Sequence, residues 1–207
     1  MSTKVIDVDL DALDRDGIAQ AQNITASTAM TLNGALGTSL DYARIIGIYS
    51  GADVSGANFT IVGTNSNGES ITESSIVGPN NATVVSTKKF KTIVSVTPDA
   101  TVAQNVEVGN VATTLSAESS VHPINFKSDT AATYYVDVTG TINYTLQECF
   151  MNPFSNTVDN LTWVSLSALT AKTADTVAAG TARATAVKIL INSYSSGAEL
   201  QVHINSN

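Results

Sequence analysis

Hydrophobic and polar residues alternate with a period of two along most of this chain, the spacing of strands that bury one face. The clearest run spans residues 134–147. There Val136, Val138, Ile142, Tyr144 and Leu146 share one face, and Asp137, Thr139, Thr141, Asn143 and Thr145 share the other. Gly140 falls on the apolar side and predicts a bulge or bend. The pattern returns at the end of the chain, with Leu200, Val202 and Ile204 opposed to Gln201, His203 and Asn205. Further strands are predicted at residues 43–50, 58–64, 70–77, 89–97, 105–109, 161–166 and 185–192. In the 89–97 run, Lys89 and Lys91 fall on one face and Phe90, Val94 and Val96 on the other.

Turn chemistry separates these runs. Asn65-Ser66-Asn67-Gly68 is a strong hairpin signal, because Asn and Gly tolerate the positive φ of a tight turn. Gly78-Pro79-Asn80-Asn81 marks the next reversal, and Ser195-Ser196-Gly197 separates the last two strands. One stretch, residues 10–22, tolerates a helix but has few apolar positions to enforce it. Strands arriving at short intervals without an intervening helical period predict antiparallel sandwiches rather than βαβ units. A Thr/Ser/Ala-rich run at 112–120, ending at His122-Pro123, places a boundary between Gly109 and Pro123. The predicted fold is therefore all-β, with two antiparallel β-sandwich-like domains at 31–112 and 122–207 behind an acidic N-terminal arm at 1–30.

Composition sharpens the picture. Of 207 residues, 27 are Thr, 22 Ser and 17 Asn, whereas charged residues make up only 14%. Hydroxyls and amides must hydrate this surface, which excludes a coiled coil or a Lys/Glu-rich helical protein. The net charge of −8 disfavours a phosphate backbone or anionic lipid, since such partners require a concentrated basic face. Cys149 is the one cysteine, so no intrachain disulfide forms, which favours assembly in a reducing compartment. The residues after Met1 have no apolar core and turn acidic at once, unlike a secretory signal. The longest uncharged run, residues 19–40, carries too many Gln, Asn, Thr and Ser residues to cross a bilayer.

Few residues invite a chemistry. Asp7, Asp9, Asp11, Asp14 and Asp16 are clustered, but a calcium loop begun at Asp7 would place Ala12 at its sixth position and Ile18 at its twelfth. A Gly and a Glu are required there, so no metal is expected. His122 and His203 have no suitably spaced nucleophile or carboxylate and are expected to be surface histidines. No nucleophile elbow, phosphate-binding loop, dinucleotide fingerprint or Cys/His cluster occurs. Cys149 is predicted to be a small core residue. Lys88, Lys89 and Lys91 form the one local basic cluster, either a hydrated or blunted sheet edge or a docking site for an acidic neighbour. Trp163, Tyr134, Tyr135, Tyr144, Phe150 and Phe154 could supply a sugar-binding platform, although Tyr144 and Trp163 are expected in the core.

Residues 43–109 resemble a segment of structural proteins from tailed bacteriophages. The resemblance rests on Gly63-Thr64-Asn65-Ser66-Asn67-Gly68-Glu69-Ser70-Ile71-Thr72-Glu73, on Gly78-Pro79-Asn80, on residues 86–96 around Lys88-Lys89-Phe90-Lys91-Thr92-Ile93, and on Asn105-Val106-Glu107-Val108-Gly109. Asn65 stands where such proteins usually carry Asp, and Lys89 where an aromatic is common. The resemblance implies a non-enzymatic virion protein without cofactors, which decorates and stabilises the head. A tail or neck accessory, or a glycan- or receptor-binding module, is the alternative. The implied partners are the major capsid protein or other virion proteins and further copies of the chain in a trimer or ring, with neither nucleic acid nor membrane. It would be found in the virion, assembled in the host bacterial cytoplasm. In that arrangement Asp7, Asp9 and Asp11 on the arm and Lys88, Lys89 and Lys91 on the first domain are the candidate contact residues.

Overall fold

The computed structural model describes residues 2–10, 12–110, 117–124, 131–154, 160–181, 183–195 and 197–206. Apart from 3₁₀ residues at Asn160 and Ser167–Leu169, every regular element among them is a strand, and the pairings within each unit are antiparallel. The all-β fold predicted from periodicity is the fold observed. The chain divides into a continuous unit, Asp11–Ser116, and a split unit built from Met1–Leu10 with Ala117–Asn207.

That division corrects the expected arm at 1–30. Residues Ser2–Asp9 form β1, an edge strand of the split unit that pairs in unbroken register from Ser2↔Ser206 to Asp9↔Glu199. Residues Asp14–Ile24 form β2 of the continuous unit, so the helix-tolerant stretch is extended as well. The cause is a two-residue period masked by aspartates. Ile6, Val8 and Leu10 are buried, and acidic residues occupy alternate positions between them. The first domain therefore begins before residue 31, and the second includes the first ten residues.

The continuous unit continues with β3 (Ser39–Asp53), β4 (Asn58–Thr64), β5 (Ser70–Val77), β6 (Asn80–Pro98) and β7 (Val102–Asn110). Their spatial order is β2-β7-β3-β6-β4-β5. Strand β6 has 19 residues and serves two neighbours. Its first part pairs with β3, from Asp53↔Asn80 to Arg44↔Phe90, and its last part with β4, from Thr64↔Thr92 to Phe59↔Pro98. The opposite edge of that last part is bonded by the β2–β3 connection, through Ser27 N to Pro98 O at 2.9 Å and Met30 N to Val96 O at 2.8 Å. The same connection then bonds β2, through Gly34 N to Ile18 O at 3.0 Å and Leu36 N to Gly17 O at 2.7 Å. The circuit is thus closed around a core that includes Ile18, Ile46, Ile48, Phe59, Ile61, Phe90 and Val96. Closure requires the backbones to touch: a Cβ on Gly34 would lie 2.2 Å from the carbonyl carbon of Gly17.

One detail of the β4–β6 pairing departs from the alternation. Val62 opposes Ser95 and Gly63 opposes Ile93, which leaves Val94 as the extra residue of a bulge. Val94 is accordingly 67% exposed while Ile93 and Val96 are buried, so Val94 leaves the stripe it was expected to share. The Asn65–Gly68 turn forms as predicted. Asn65 Oδ1 accepts from the N–H groups of Asn67 and Glu69, both at 3.0 Å, and its Nδ2 donates to Glu69 Oε2 at 2.7 Å.

The split unit is a sandwich. Its remaining strands are β8 (Ala117–Glu118), β9 (His122–Pro123), β10 (Thr133–Thr139), β11 (Ile142–Cys149), β12 (Trp163–Ser165), β13 (Thr176–Ala179), β14 (Ala186–Tyr194) and β15 (Glu199–Ser206). One sheet has the order β1-β15-β10-β13; in the other, β14 pairs with β11, β8 and β9, and β11 with β12. Residues 134–147, expected to form one strand with a bend, are two strands in different sheets. At the corner Gly140 adopts φ +78°, and the chain crosses from one layer to the other with its apolar side still facing inward. The layers are tied by the Tyr134 hydroxyl, which donates to Glu148 Oε1 at 2.8 Å. Glu148 is itself buried and also accepts from Thr181 N at 3.0 and 3.1 Å. Burial, and then the adjacent carboxylate, push the Tyr134 hydroxyl far above its ordinary range, so it remains a neutral donor.

The buried charge of the continuous unit gives the first prediction. Arg44 is 1% exposed and grips Asp41 with Nε to Oδ1 at 2.7 Å and Nη2 to Oδ2. Removing one partner strands the other, whereas removing both does not. Asp41→Ala is expected to cost about 3 kcal/mol in urea unfolding followed by circular dichroism, and Asp41→Ala with Arg44→Met distinctly less. Equal losses in the two variants would contradict this account.

Candidate functional site

One break in strand pairing lies at an end of the continuous unit. Between Gln22↔Val106 and Ile24↔Val102, three β7 residues, Ala103, Gln104 and Asn105, oppose the single β2 residue Asn23. Such an excess bends the strand and turns its side chains away from the ladder. On the far side of β7, pairing with β3 ends at Tyr49↔Glu107, and Ser50, Gly51 and Ala52 run on beyond it. The result is an open groove of about 340 Å³ floored by the small residues Gly51, Ala52 and Ala103. A second depression of about 340 Å³ adjoins it, sharing Ala103 and Gln104 and extending along Asp53, Gly56 and Thr101.

The polar groups of the groove are mainly amides. Asn23, Gln104 and Asn105 are exposed, and their side chains make no hydrogen bond to the described residues. Ser50 is buried, and its Oγ accepts from Ala52 N at 3.2 Å. Asp53 is the ionisable residue of the second depression. Its Oδ1 accepts from the Ser55 hydroxyl at 2.6 Å and the Ser55 N–H at 3.0 Å, and these bonds hold its carboxyl below the usual range. Close by, Arg15 stacks 3.8 Å over the Tyr49 ring and places Nε 2.6 Å from Glu107 Oε2, an ion-pair contact. Such a set of donors and acceptors can hold a ligand by hydrogen bonds.

The residues singled out in the sequence are distributed differently. Asp7 and Asp9 lie on β1, opposite Gln201 and Glu199, and Asp11 lies outside the described residues. Asp14 Oδ1 accepts from Asp16 N at 3.3 Å, and the Asp16 side chain raises the Asp14 carboxyl above its ordinary range. No group of three or more potential metal ligands occurs among the described residues. The lysines belong to the other unit and serve its internal bonding. Lys88 Nζ donates to Thr72 O at 2.8 Å, and its backbone N–H donates to Glu73 Oε2 at 2.7 Å. Lys91 Nζ donates to Asp41 O at 2.9 Å and to Leu40 O, and Lys89 is half-buried opposite Ile45. Of the six candidates, Asp7 and Asp9 belong to the split unit and the three lysines to the continuous unit.

The aromatic platform is not assembled either. Tyr134 and Tyr144 are wholly buried, Trp163 is half-buried, and Tyr135 points to the opposite face of β10 from Tyr134. Cys149 is buried in the core, as expected. His122 departs from expectation. It pairs with Val187 of β14, and its Nε2 is buried without a hydrogen-bond partner among the described residues. Burial, and then the nearby positive charge of Lys4, bring its imidazole down to about 4.

No family model matches the chain, and no curated protein does. Among solved structures it is similar to a "putative secreted protein" of Parabacteroides distasonis, with 12% identity over 99% of this chain and 89% of that one, at a TM-score of 0.25.

The His122 environment predicts a pH response. Folded His122 gains its proton near pH 4, and an unfolded chain gains it near 6.5, so between these values the unfolded chain binds more protons. Stability should therefore fall as pH is lowered through that window. His122→Gln should flatten the decline in melting temperature by differential scanning fluorimetry, and an unchanged slope would count against the assignment.

Proposed function

We propose that this protein is a non-enzymatic structural subunit of a tailed-bacteriophage particle, placed on the head as a decoration and stabilising protein. The observation that carries the reading is the solvent face of the β1-β15-β10-β13 sheet. Val5, His203, Tyr135 and Val177 stand in register across all four strands. Val5, Tyr135 and Val177 are 44%, 41% and 63% exposed, and the Tyr135 and His203 rings lie 5.7 Å apart. Thr3, Asn205 and Thr133 border the row on one side, and Asp7, Gln201 and Asp137 on the other. An apolar row rimmed by polar side chains has the anatomy of an association surface. The outer edge of β1 adds a row of backbone groups to which a neighbouring chain can pair.

The hairpin at Asn65–Gly68 and the strand carrying Lys88–Ile93 agree with the turn and strand roles that the phage resemblance implies for them. The partners in this reading are the major capsid protein, or other virion proteins, and further copies of the chain. Charged contacts from Asp7 or Lys88 are secondary to the sheet face, because Lys88 and Lys91 are already engaged within their own unit.

Quantitative mass spectrometry of purified particles tests the assignment. A copy number comparable to that of the major coat subunit is expected. A count typical of a portal or tail ring would move the protein to the neck or tail, and absence from particles would refute the reading. Val5→Lys with Val177→Lys should abolish particle binding and leave the melting temperature nearly unchanged, because both side chains already face solvent.

A further inference from the structure

We propose that the groove at the β2–β7 bulge is a binding site for a neutral, polyhydroxylated ligand, a carbohydrate chain presented as an extended oligosaccharide. The argument is independent of the particle assignment and rests on the groove alone. Asn23, Gln104 and Asn105 come from two adjacent strands and reach one opening because β7 carries three residues where β2 carries one. Each side-chain amide offers donors and an acceptor, and none is engaged within the described protein. Sugar hydroxyls both donate and accept, so vicinal hydroxyl pairs complement such amides directly.

Other ligand classes fit poorly. The lining contains no Lys or Arg to meet an anion, and the Asp53 carboxylate would repel one. Its apolar members are mostly alanines, which give a hydrocarbon ligand little to pack against. The second depression, also about 340 Å³, shares Ala103 and Gln104 with the first and offers room for a second sugar unit. With no aromatic side chain in the lining, affinity comes from hydrogen bonds alone, and a dissociation constant on the order of 1 mM is expected. Several copies on one scaffold would convert such weak sites into useful avidity.

The test is an amide-shift titration of the nitrogen-15-labelled full chain with maltotetraose, cellotetraose, chitotetraose and mannotetraose, and with sialyllactose as the anionic comparison. At least one neutral tetrasaccharide should give saturable shifts centred on Gly51–Gly56 and Ala103–Asn105. The Gln104→Ala, Asn105→Ala variant should weaken that response about tenfold. Both residues are exposed, and an unchanged spectrum away from the groove will show that the variant is folded; Asn23→Ala provides a second, separate removal from β2. No shift with any of the four neutral sugars overturns the proposal. So do shifts unaffected by the substitutions, or a stronger response at the same amides to sialyllactose.

Discussion

The constraint on which the continuous unit depends is backbone pairing along a strand too long for one partner. A 19-residue strand twists progressively, and a single flat partner cannot follow it from end to end. Strand β6 meets this by changing partners, from β3 to β4, at the position where Thr92 is paired with both Ser39 and Thr64. Everything around it adjusts to that change. Val94 is extruded as a bulge, Gly63 lets the backbone of β6 approach closely, and the 25–38 connection takes the edge that β3 vacates. Hydrogen bonding is thereby preserved around the circuit while side chains are displaced at defined points.

The same logic produces the groove. Two strands can stay paired through a local excess of residues only if the excess is pushed out of the ladder. At Ala103–Asn105 the extruded residues are small or carry amides, and they open onto the end of β3 rather than onto more protein. Where the strand excess at Val94 only exposes a valine, this one collects three amides whose side chains have no partner among the described residues. In the split unit the outer sheet face follows from strict alternation instead: Ile6, Val202, Val136 and their neighbours turn inward, and the Val5–Val177 row is what remains outside.

Legibility in the sequence followed local physics. The strands at Asn58–Thr64 and Ser70–Val77 could be read to their ends, because alternation and the Asn65–Gly68 turn agree there. β1 could not, because the charge of Asp7 and Asp9 suggested a solvated arm although Ile6 and Val8 already marked an inward face. The first part of β6 shows no alternation, since its residues are mostly exposed, and its extent is set by pairing with β3. The corner at Gly140 was visible as a glycine, but whether the chain bends within a sheet or passes to another depends on distant strands. The groove left no local trace at all. It arises from the register between β2 and β7, which lie about 80 residues apart in the chain.

The pairing of β1 with β15 bears on how the molecule is made. Thr3 and Asn205 are hydrogen-bonded partners separated by 202 positions, so β1 leaves the ribosome with no sheet to join until β15 emerges. The continuous unit holds all its own strands and can close meanwhile. At a synthesis rate of about 5–20 residues per second, β1 stays unpaired for on the order of ten seconds or more. An unpaired strand with Ile6 and Val8 on one face is a hazard to its neighbours on a polysome. Asp7 and Asp9 give the nascent strand negative charge, which disfavours pairing with identical strands until its partner arrives.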